Sequence, residues 1–308
     1  MTRPRPPIRR TRGPIRRPEV SGDLPRRPRR PPSRLAPQAL ADARGGAREG
    51  LAWLGRTPEA KASPAYRLLR LVVRFVLFGV LRFRVRTAGQ EHLPAGGFLL
   101  VAAAHRGWMD PFVVMHALPT EPRAWFLGSG PSTFTSRTRE RLVRAVGGLL
   151  PVWRGGTRID QHVESARAVL ANGAVFVQMP EGTVSGPPGR IGPFRIGWAV
   201  IALRTGAPIV PLAIAGTEEL YVGRRMASRV LPPTSVAGLV PDWTVAVPEP
   251  GSRAELELAR RMSSALEFVL GPAVENLHAE TVDPPGRPRW LRDRLTWLLL
   301  RPGRLDRD

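Results

Sequence analysis

Residues 97–105 read GFLLVAAAH, an unbroken apolar run that ends on a histidine. A short apolar run without charges is typical of a strand buried on both faces of a sheet. Three further runs of this kind follow at residues 124–127, 174–179 and 208–215. Between the runs lie stretches with helical character, near residues 111–118, 136–147, 159–172 and 196–205. This alternation predicts an α/β domain over residues 90–275, with a mostly parallel sheet flanked by helices.

The histidine that ends the first run has a carboxylate close by in the sequence. Asp110 follows His105 by five residues and precedes Pro111, a residue that favours the first turn of a helix, so Asp110 is predicted as a helix N-cap. On one continuous helix the two side chains would point about 140° apart, so they can meet only across a turn. A histidine held by a carboxylate is a general base with a fixed tautomer. Alone, the pair is more often a loop histidine beside a capping aspartate.

Further segments with polar residues follow the later runs. Residues 148–154 read GLLPVWR, residues 179–185 read MPEGTVS directly after the third run, and residues 193–197 read PFRIG at the start of a helical stretch. Residues 210–211, Val-Pro, lie inside the fourth run.

These segments, in this order, resemble the motifs of the lysophosphatidic acid acyltransferase family (1-acyl-sn-glycerol-3-phosphate acyltransferases, in the glycerolipid acyltransferase superfamily). The family's motifs are His-x4-Asp, a glycine followed by Pro-Val and an arginine, Pro-Glu-Gly-Thr, and an apolar strand that carries a proline. Here they correspond to residues 105–110, 148–154, 180–183 and 210–211. The resemblance covers residues 90 to about 272.

The resemblance implies transfer of a fatty acyl group from an acyl thioester to a lipid hydroxyl. His105 would remove the proton of the acceptor hydroxyl, and Asp110 would orient His105. Arg154 would bind the acceptor's phosphate, for which a guanidinium group is well shaped. The acceptor site would be completed by Glu181, Gly182, Thr183 and Arg195. Neither a metal nor a tightly bound cofactor is expected, because acyl-CoA or acyl carrier protein delivers the acyl group as a co-substrate.

The chain departs from the family pattern at three positions. Val184 stands where an arginine often follows Glu-Gly-Thr, so we expect one phosphate contact to be lost or to come from Arg190 or Arg195. Ala104 and Gly107 replace the asparagine and serine that often flank the histidine. We therefore expect fewer side chains to support His105.

The charge of the 308-residue chain is concentrated at its start. The net charge is +22, and the residues up to Ala65 include 16 basic and 5 acidic side chains, many of them interleaved with proline. This composition predicts a disordered basic N-terminal tail over residues 1–65. The tail could be a soluble extension, attach to anionic lipid or bind nucleic acid, but it lacks the interleaved aromatic residues that favour single strands. The absence of cysteine excludes a disulfide framework and a thiol nucleophile.

Two apolar segments flank the predicted domain. Residues 66–89 contain an apolar stretch whose arginines at positions 67, 70 and 74 would share one helical face. No uninterrupted run reaches the length of a membrane span, so we expect an amphipathic helix in the membrane interface, with arginines toward phosphates, or else packed on the domain. Residues 276–308 are predicted as a linker followed by a C-terminal amphipathic helix, with Trp290 and Trp297.

The functional hypothesis is a membrane-associated O-acyltransferase of phospholipid synthesis, acting on a lysophospholipid such as lysophosphatidic acid. Its expected partners are an anionic membrane surface, the lysophospholipid and the acyl thioester, with acyl carrier protein as a candidate. The expected location is peripheral or monotopic, on the cytoplasmic face of the cell membrane, because acyl thioesters are made there. The alternatives are an inactive membrane-bound scaffold of the same fold and a nucleic-acid-binding protein that uses the tail. The predicted domain carries no nucleic-acid-binding signature, so no nucleic-acid partner is expected.

Overall fold

The computed structural model describes residues 50–129, 136–152, 159–184, 186–243 and 246–282. In this part of the chain, a seven-stranded sheet is covered by helices. The strands are β1 (Arg84–Ala88), β2 (Leu99–Ala103), β3 (Ala124–Ser129), β4 (Leu149–Val152), β5 (Val175–Gln178), β6 (Ile209–Ala215) and β7 (Arg225–Val230). The helices are α1 (Gly50–Leu54), α2 (Pro64–Val73) with a π-helical continuation (Arg74–Val80), α3 (Asp110–Ala117), α4 (Arg137–Val146), α5 (Ile159–Ala171), α6 (Gly197–Thr205), α7 (Val236–Leu239) and α8 (Arg253–Thr281), with a short 3-10 turn at Gln90–His92.

The strand order across the sheet is β1-β7-β6-β2-β5-β3-β4. Every neighbouring pair is parallel except β6 and β7, which run antiparallel. The predicted mostly parallel α/β fold is therefore confirmed. The four apolar runs form β2, β3, β5 and β6, and the four helical stretches form α3, α4, α5 and α6. Because β2 is parallel to both β5 and β6, the carboxyl ends of these three strands lie side by side.

The central strand β2 contributes to two apolar layers. Leu99, Val101 and Ala103 face one layer, which is built with α1, α5, α6 and α8. Leu100 and Ala102 face the other, which contains α3 and residues of the α2 helix and its continuation. All five residues of β2 are fully buried. Residues that follow β2 are therefore attached to a strand that is buried along its whole length.

The predicted tail boundary at residue 65 is wrong for the residues that the structure describes. Helix α1 lies inside that range, and Trp53 is only 3% exposed. The Trp53 indole N–H donates to Glu140 of α4 at 2.8 Å, and the backbone N–H of Arg123 donates to Ala60 at 2.8 Å. The high Arg and Pro content of the tail ends before α1, so apolar residues such as Trp53 and Leu54 can pack on the domain. Residues 1–49 lie outside the described residues.

The helix predicted over residues 66–89 ends at residue 80, and its position in a membrane interface stays a prediction. Beyond residue 80, β1 pairs in parallel with β7, and the alternating Arg-Val-Arg-Thr-Ala pattern follows a strand period. Two of the three arginines contact the domain, as the alternative of a helix packed on the domain expects, whereas Arg74 is exposed. Arg67 binds Glu121 at 2.6 Å, and Arg70 donates to the carbonyl groups of Leu118 and Pro119 at 2.9 Å. These arginines therefore hold the helix on the domain, at the end of α3.

Helix α8 extends beyond the predicted end of the domain at residue 275. It continues to Thr281, and Leu277 and Thr281 are buried against the domain. The predicted linker therefore cannot begin at residue 276. Residues 283–308, with the predicted C-terminal amphipathic helix, lie outside the described residues. Among the helices of the described ranges, none has both the length and the apolar character needed to cross a bilayer.

Replacing Trp53 with alanine should test whether α1 belongs to the folded domain. We expect Trp53→Ala to lower the free energy of unfolding by about 3–5 kcal/mol, because a large side chain leaves a cavity in the core. Urea unfolding followed by circular dichroism measures this loss. Leu142→Ala is the control, since Leu142 is exposed on α4 and its loss should change stability by less than about 0.5 kcal/mol. A Trp53→Ala protein as stable as wild type would contradict the packing of α1.

Candidate active site

The turn after β2 brings His105 and Asp110 together. His105 Nδ1 lies 2.6 Å from Asp110 Oδ2, as a dyad of base and orienting carboxylate requires. The Asp110 side chain is fully buried, whereas the His105 side chain is 22% exposed. A neutral imidazole that donates from Nδ1 to a carboxylate keeps the lone pair on Nε2. Nε2 of His105 is therefore the nitrogen that can accept a proton from a substrate.

Asp110 also organises the backbone of the turn. Its Oδ2 accepts the backbone N–H of Arg106 at 2.5 Å and that of Gly107 at 2.8 Å. Asp110 is the first residue of α3, and its carboxylate faces back toward the preceding turn. It does not act as the predicted N-cap, because Met109 occupies the cap position. These backbone donors hold the Asp110 carboxylate in place, while Ala104 and Gly107 contribute no polar side chain to the site.

Glu181 connects the dyad to the segment that follows β5. One carboxylate oxygen accepts the backbone N–H of His105 at 2.5 Å, and the other accepts that of Gly192 at 3.0 Å. Burial raises the pKa of the Glu181 carboxyl, while these two N–H groups and the charge of Arg106 oppose the rise. The buried carboxylate is thus engaged within the protein, which favours a positioning role over the predicted direct contact with an acceptor.

Gly182 and Arg195 lie against each other beside Glu181. Gly182 has a positive φ of 68°, and a Cβ there would lie 2.7 Å from Cδ of Arg195. The Arg195 Nε–H donates to the Glu181 carbonyl at 3.3 Å, and the Arg195 side chain is exposed. Thr183 follows Gly182 and is half-buried. The structure thus groups these predicted residues at the edge of the sheet that carries His105.

The second motif segment ends outside the described residues, and the fourth lies within a strand. Arg154 lies outside the described residues, two positions after the end of β4. Val210 and Pro211 are buried in β6, where Pro211 lies opposite Val101 of β2. The fourth motif therefore supports the strand that carries His105 from the neighbouring strand.

Sequence reasoning missed Arg106 as a site residue. It directly follows His105, and it is buried with its guanidinium group against a neighbouring loop. An arginine at this position gives no signal in the sequence that separates it from a surface charge. Among the described residues there is no group of three or more His, Asp or Glu side chains that could hold a metal ion.

The segment that contains this site is similar to known proteins. A family model described as Acyltransferase matches residues 84–215, which include the dyad and Glu181. These residues are therefore similar to acyltransferases. The match begins at β1 and ends with β6, so it contains every strand except β7.

Relatives of the acyltransferase domain carry consistent names. The chain is 26% identical to 1-acyl-sn-glycerol-3-phosphate acyltransferase alpha of Mus musculus over 216 residues, 64% of this chain and 70% of the mouse protein. It is 33% identical to the 1-acyl-sn-glycerol-3-phosphate acyltransferase of Cocos nucifera over 153 residues, 45% of each chain. The crystal structure of the 1-acyl-sn-glycerophosphate (LPA) acyltransferase PlsC from Thermotoga maritima matches with a TM-score of 0.49 and 22% identity, covering 79% of this chain and 88% of that one.

Replacing Asp110 with asparagine should disable the dyad. Asparagine has no negative charge and its NH2 group can donate to Nδ1 of His105, which favours the wrong tautomer, so we expect acyl transfer to fall by about 10³–10⁴. Nitrogen NMR of the ring reports the tautomer directly and should show the proton moving to Nε2. Asp160→Asn, on the exposed side of α5, is the matched control and should retain activity. Activity within threefold of wild type in Asp110→Asn would contradict this role.

Proposed function

We propose that this acyltransferase moves a fatty acyl group from an acyl thioester to the free hydroxyl of a lysophospholipid, with lysophosphatidic acid as the acceptor. The observation that carries the proposal is the 2.6 Å contact between His105 and Asp110 at the carboxyl end of β2, inside the family domain. Relatives named for 1-acyl-sn-glycerol-3-phosphate support the choice of acceptor. The step would belong to phospholipid synthesis.

The reaction needs one base and no covalent acyl-enzyme. Nε2 of His105 removes the proton from the acceptor hydroxyl as its oxygen attacks the thioester carbonyl carbon. The tetrahedral intermediate collapses, the carbon–sulfur bond breaks, and the proton on Nε2 passes to the leaving thiolate. The carboxylate of Asp110 stabilises the imidazolium that forms between these two proton transfers. An ester and a free thiol are the products, and His105 returns to its neutral form.

Acceptor binding is assigned to basic groups around the dyad. Arg195 is exposed beside Gly182 and can approach a phosphate, and Arg154 is proposed as the second contact. Gly182 and Thr183 would shape the site next to the glycerol. Coenzyme A and acyl carrier protein are both suitable carriers of the acyl group, and their phosphates would be attracted by a chain of net charge +22.

The helix formed by α2 and its continuation presents an apolar face to solvent. Its arginines at positions 67 and 70 are bound to the domain, so the opposite side is left uncovered. Phe75 is 68% exposed and Leu71 is 63% exposed. The exposed apolar side chains of this face are Leu68, Leu71, Val72, Phe75, Val76 and Val80. A contiguous apolar patch of this kind is typical of an interaction surface.

We propose that this apolar face inserts into the membrane interface and holds the enzyme at its lipid substrate. A helix lying in the interface buries such side chains in the acyl region of one leaflet. Attachment would be peripheral or monotopic, on the cytoplasmic face, where acyl thioesters are made. Anionic lipid would add attraction through the basic surface.

Thiol release tests the chemistry. Wild type given acyl-CoA and lysophosphatidic acid in mixed micelles should release free coenzyme A only when the acceptor is present. His105→Ala should lower this rate by about 10²–10⁴, because a general base is lost. The chain contains no cysteine, so a thiol reagent detects only the released carrier. His92→Ala, in the turn after β1, is the matched histidine control and should retain the rate.

Failure of wild type to release thiol with several lysolipid acceptors and both carriers would contradict the proposed function. Release that does not depend on an acceptor would instead indicate thioester hydrolysis. In either case the proposal of O-acyl transfer would be wrong.

Vesicle sedimentation tests the membrane surface. Phe75→Glu should weaken binding to phosphatidylglycerol–phosphatidylcholine vesicles by about tenfold or more, because burial of one phenylalanine contributes about 1.5–3 kcal/mol. Val247→Glu places the same charge at an exposed valine outside this face and serves as the control. Equal binding of Phe75→Glu and wild type would show that this face does not contact lipid.

A further inference from the structure

Arg106 lies directly after the proposed base, yet its side chain is turned away from solvent. It is 8% exposed, and its guanidinium group is directed at a loop that follows β5. Nη1 donates to the carbonyl of Gly186 at 2.5 Å, and Nη2 donates to the carbonyls of Pro187 and Arg190. A planar guanidinium group can hold several carbonyl oxygens at once, which an ammonium group cannot do with the same geometry.

The loop that Arg106 holds, residues 186–192, is fixed at other points as well. At its end, the N–H of Gly192 donates to Glu181, whose other oxygen accepts the N–H of His105. In its middle, Gly189 packs against the ring of His278 on α8, and a Cβ at this glycine would lie 2.7 Å from that ring. The base, the loop and α8 are therefore connected by direct contacts.

Charge adds to these contacts. The carboxylate of Glu181 is buried, and the positive charge of Arg106 is close enough to lower its pKa against the effect of burial. A buried carboxylate without a compensating cation would be costly. Arg106 therefore stabilises both the loop carbonyls and the charged form of the residue that bridges the loop to His105.

The loop also lies between the candidate acceptor residues in the chain. Gly182 and Thr183 precede it, and Arg195 follows it by three residues. The first and last residues of the loop are close in space, since a Cβ at Gly186 would lie 3.5 Å from the backbone nitrogen of Gly192. The two ends of the loop therefore lie together, and the Gly192 end is linked to His105 through Glu181.

We propose that Arg106 is a positioning residue that fixes residues 186–192 as one wall of the acceptor site. This role rests on the proposed function, and it goes beyond the family motifs because it assigns a task to the residue next to the base. Arg106 does not contact the acceptor, since its guanidinium group is occupied by the loop carbonyls. Its loss should therefore act on acceptor binding and not on the thioester.

The test compares Arg106→Met and Arg106→Lys with a matched buried arginine. The control is Arg123→Lys. Arg123 is 1% exposed and donates to the carbonyl of Val146. It directly precedes β3, so it lies at the amino ends of the parallel strands, whereas His105 lies at their carboxyl ends. Steady-state rates give kcat and the separate KM values for acyl-CoA and lysophosphatidic acid. Hydrogen–deuterium exchange of residues 186–192 and the Tm of each variant are measured on the same preparations.

For Arg106→Met we expect faster exchange in residues 186–192 and a kcat/KM for lysophosphatidic acid about 10–100-fold lower, mostly through KM. The KM for acyl-CoA should stay within twofold. Arg106→Lys should recover part of the loss, since it keeps the charge but not the planar donor arrangement. Arg123→Lys should lower Tm while leaving both KM values unchanged.

Unchanged loop exchange, or an unchanged acceptor KM, in a folded and active Arg106→Met protein would overturn this role. A rise in both KM values that follows the loss of Tm would overturn it as well, because Arg106 would then be only structural. If Arg106→Met does not fold, the same criteria apply to Arg106→Lys. Lack of thiol release from wild type would instead overturn the proposed function itself, so the two failures are distinguishable.

Discussion

A single carboxylate oxygen, Oδ2 of Asp110, accepts the imidazole Nδ1–H and two consecutive backbone N–H groups. These three bonds set the shape of the turn between β2 and α3 and the orientation of the base at once. Because Asp110 is also the first residue of α3, the helix and the dyad share one anchor. The enclosed strand β2 and the bridge from Glu181 keep this anchor in place. The chemistry assigned to His105 depends on this small set of contacts.

Much of the fold could be predicted from the sequence, because long apolar runs have few alternatives. The runs that became β2, β3, β5 and β6 are buried on both faces, so their hydrophobic pattern is unambiguous. The edge strand β1 was missed because its alternating arginines resemble an exposed helical or loop segment. The dyad was predictable as well, since strand, histidine, aspartate and helix are consecutive in the chain.

The rest depended on contacts between residues far apart in the sequence. Glu181 reaches His105 across 76 positions, and no local pattern shows that its carboxylate would receive two backbone N–H groups. The arginine face of α2 was recognisable from its spacing, but spacing does not tell which side of a helix meets the domain. Trp53 looked like part of a polar tail because its neighbours on the chain dominate the composition. Arg106 had no signal, since its partners are carbonyl groups, which every residue has.

The contacts of Arg67 and Arg70 with the domain have a practical consequence for the proposed membrane attachment. Arginines that already have partners on the domain add less to attraction for a charged surface, so the proposed attachment through this helix would depend mainly on its apolar area. Attraction between exposed charges weakens as salt screens it, whereas burial of apolar side chains does not weaken in this way. Raising the ionic strength would weaken the attraction of the basic surface to anionic lipid and leave the apolar contact of the helix with the bilayer in place. Detergent covers apolar surface, so it is the treatment that would release the protein from the membrane.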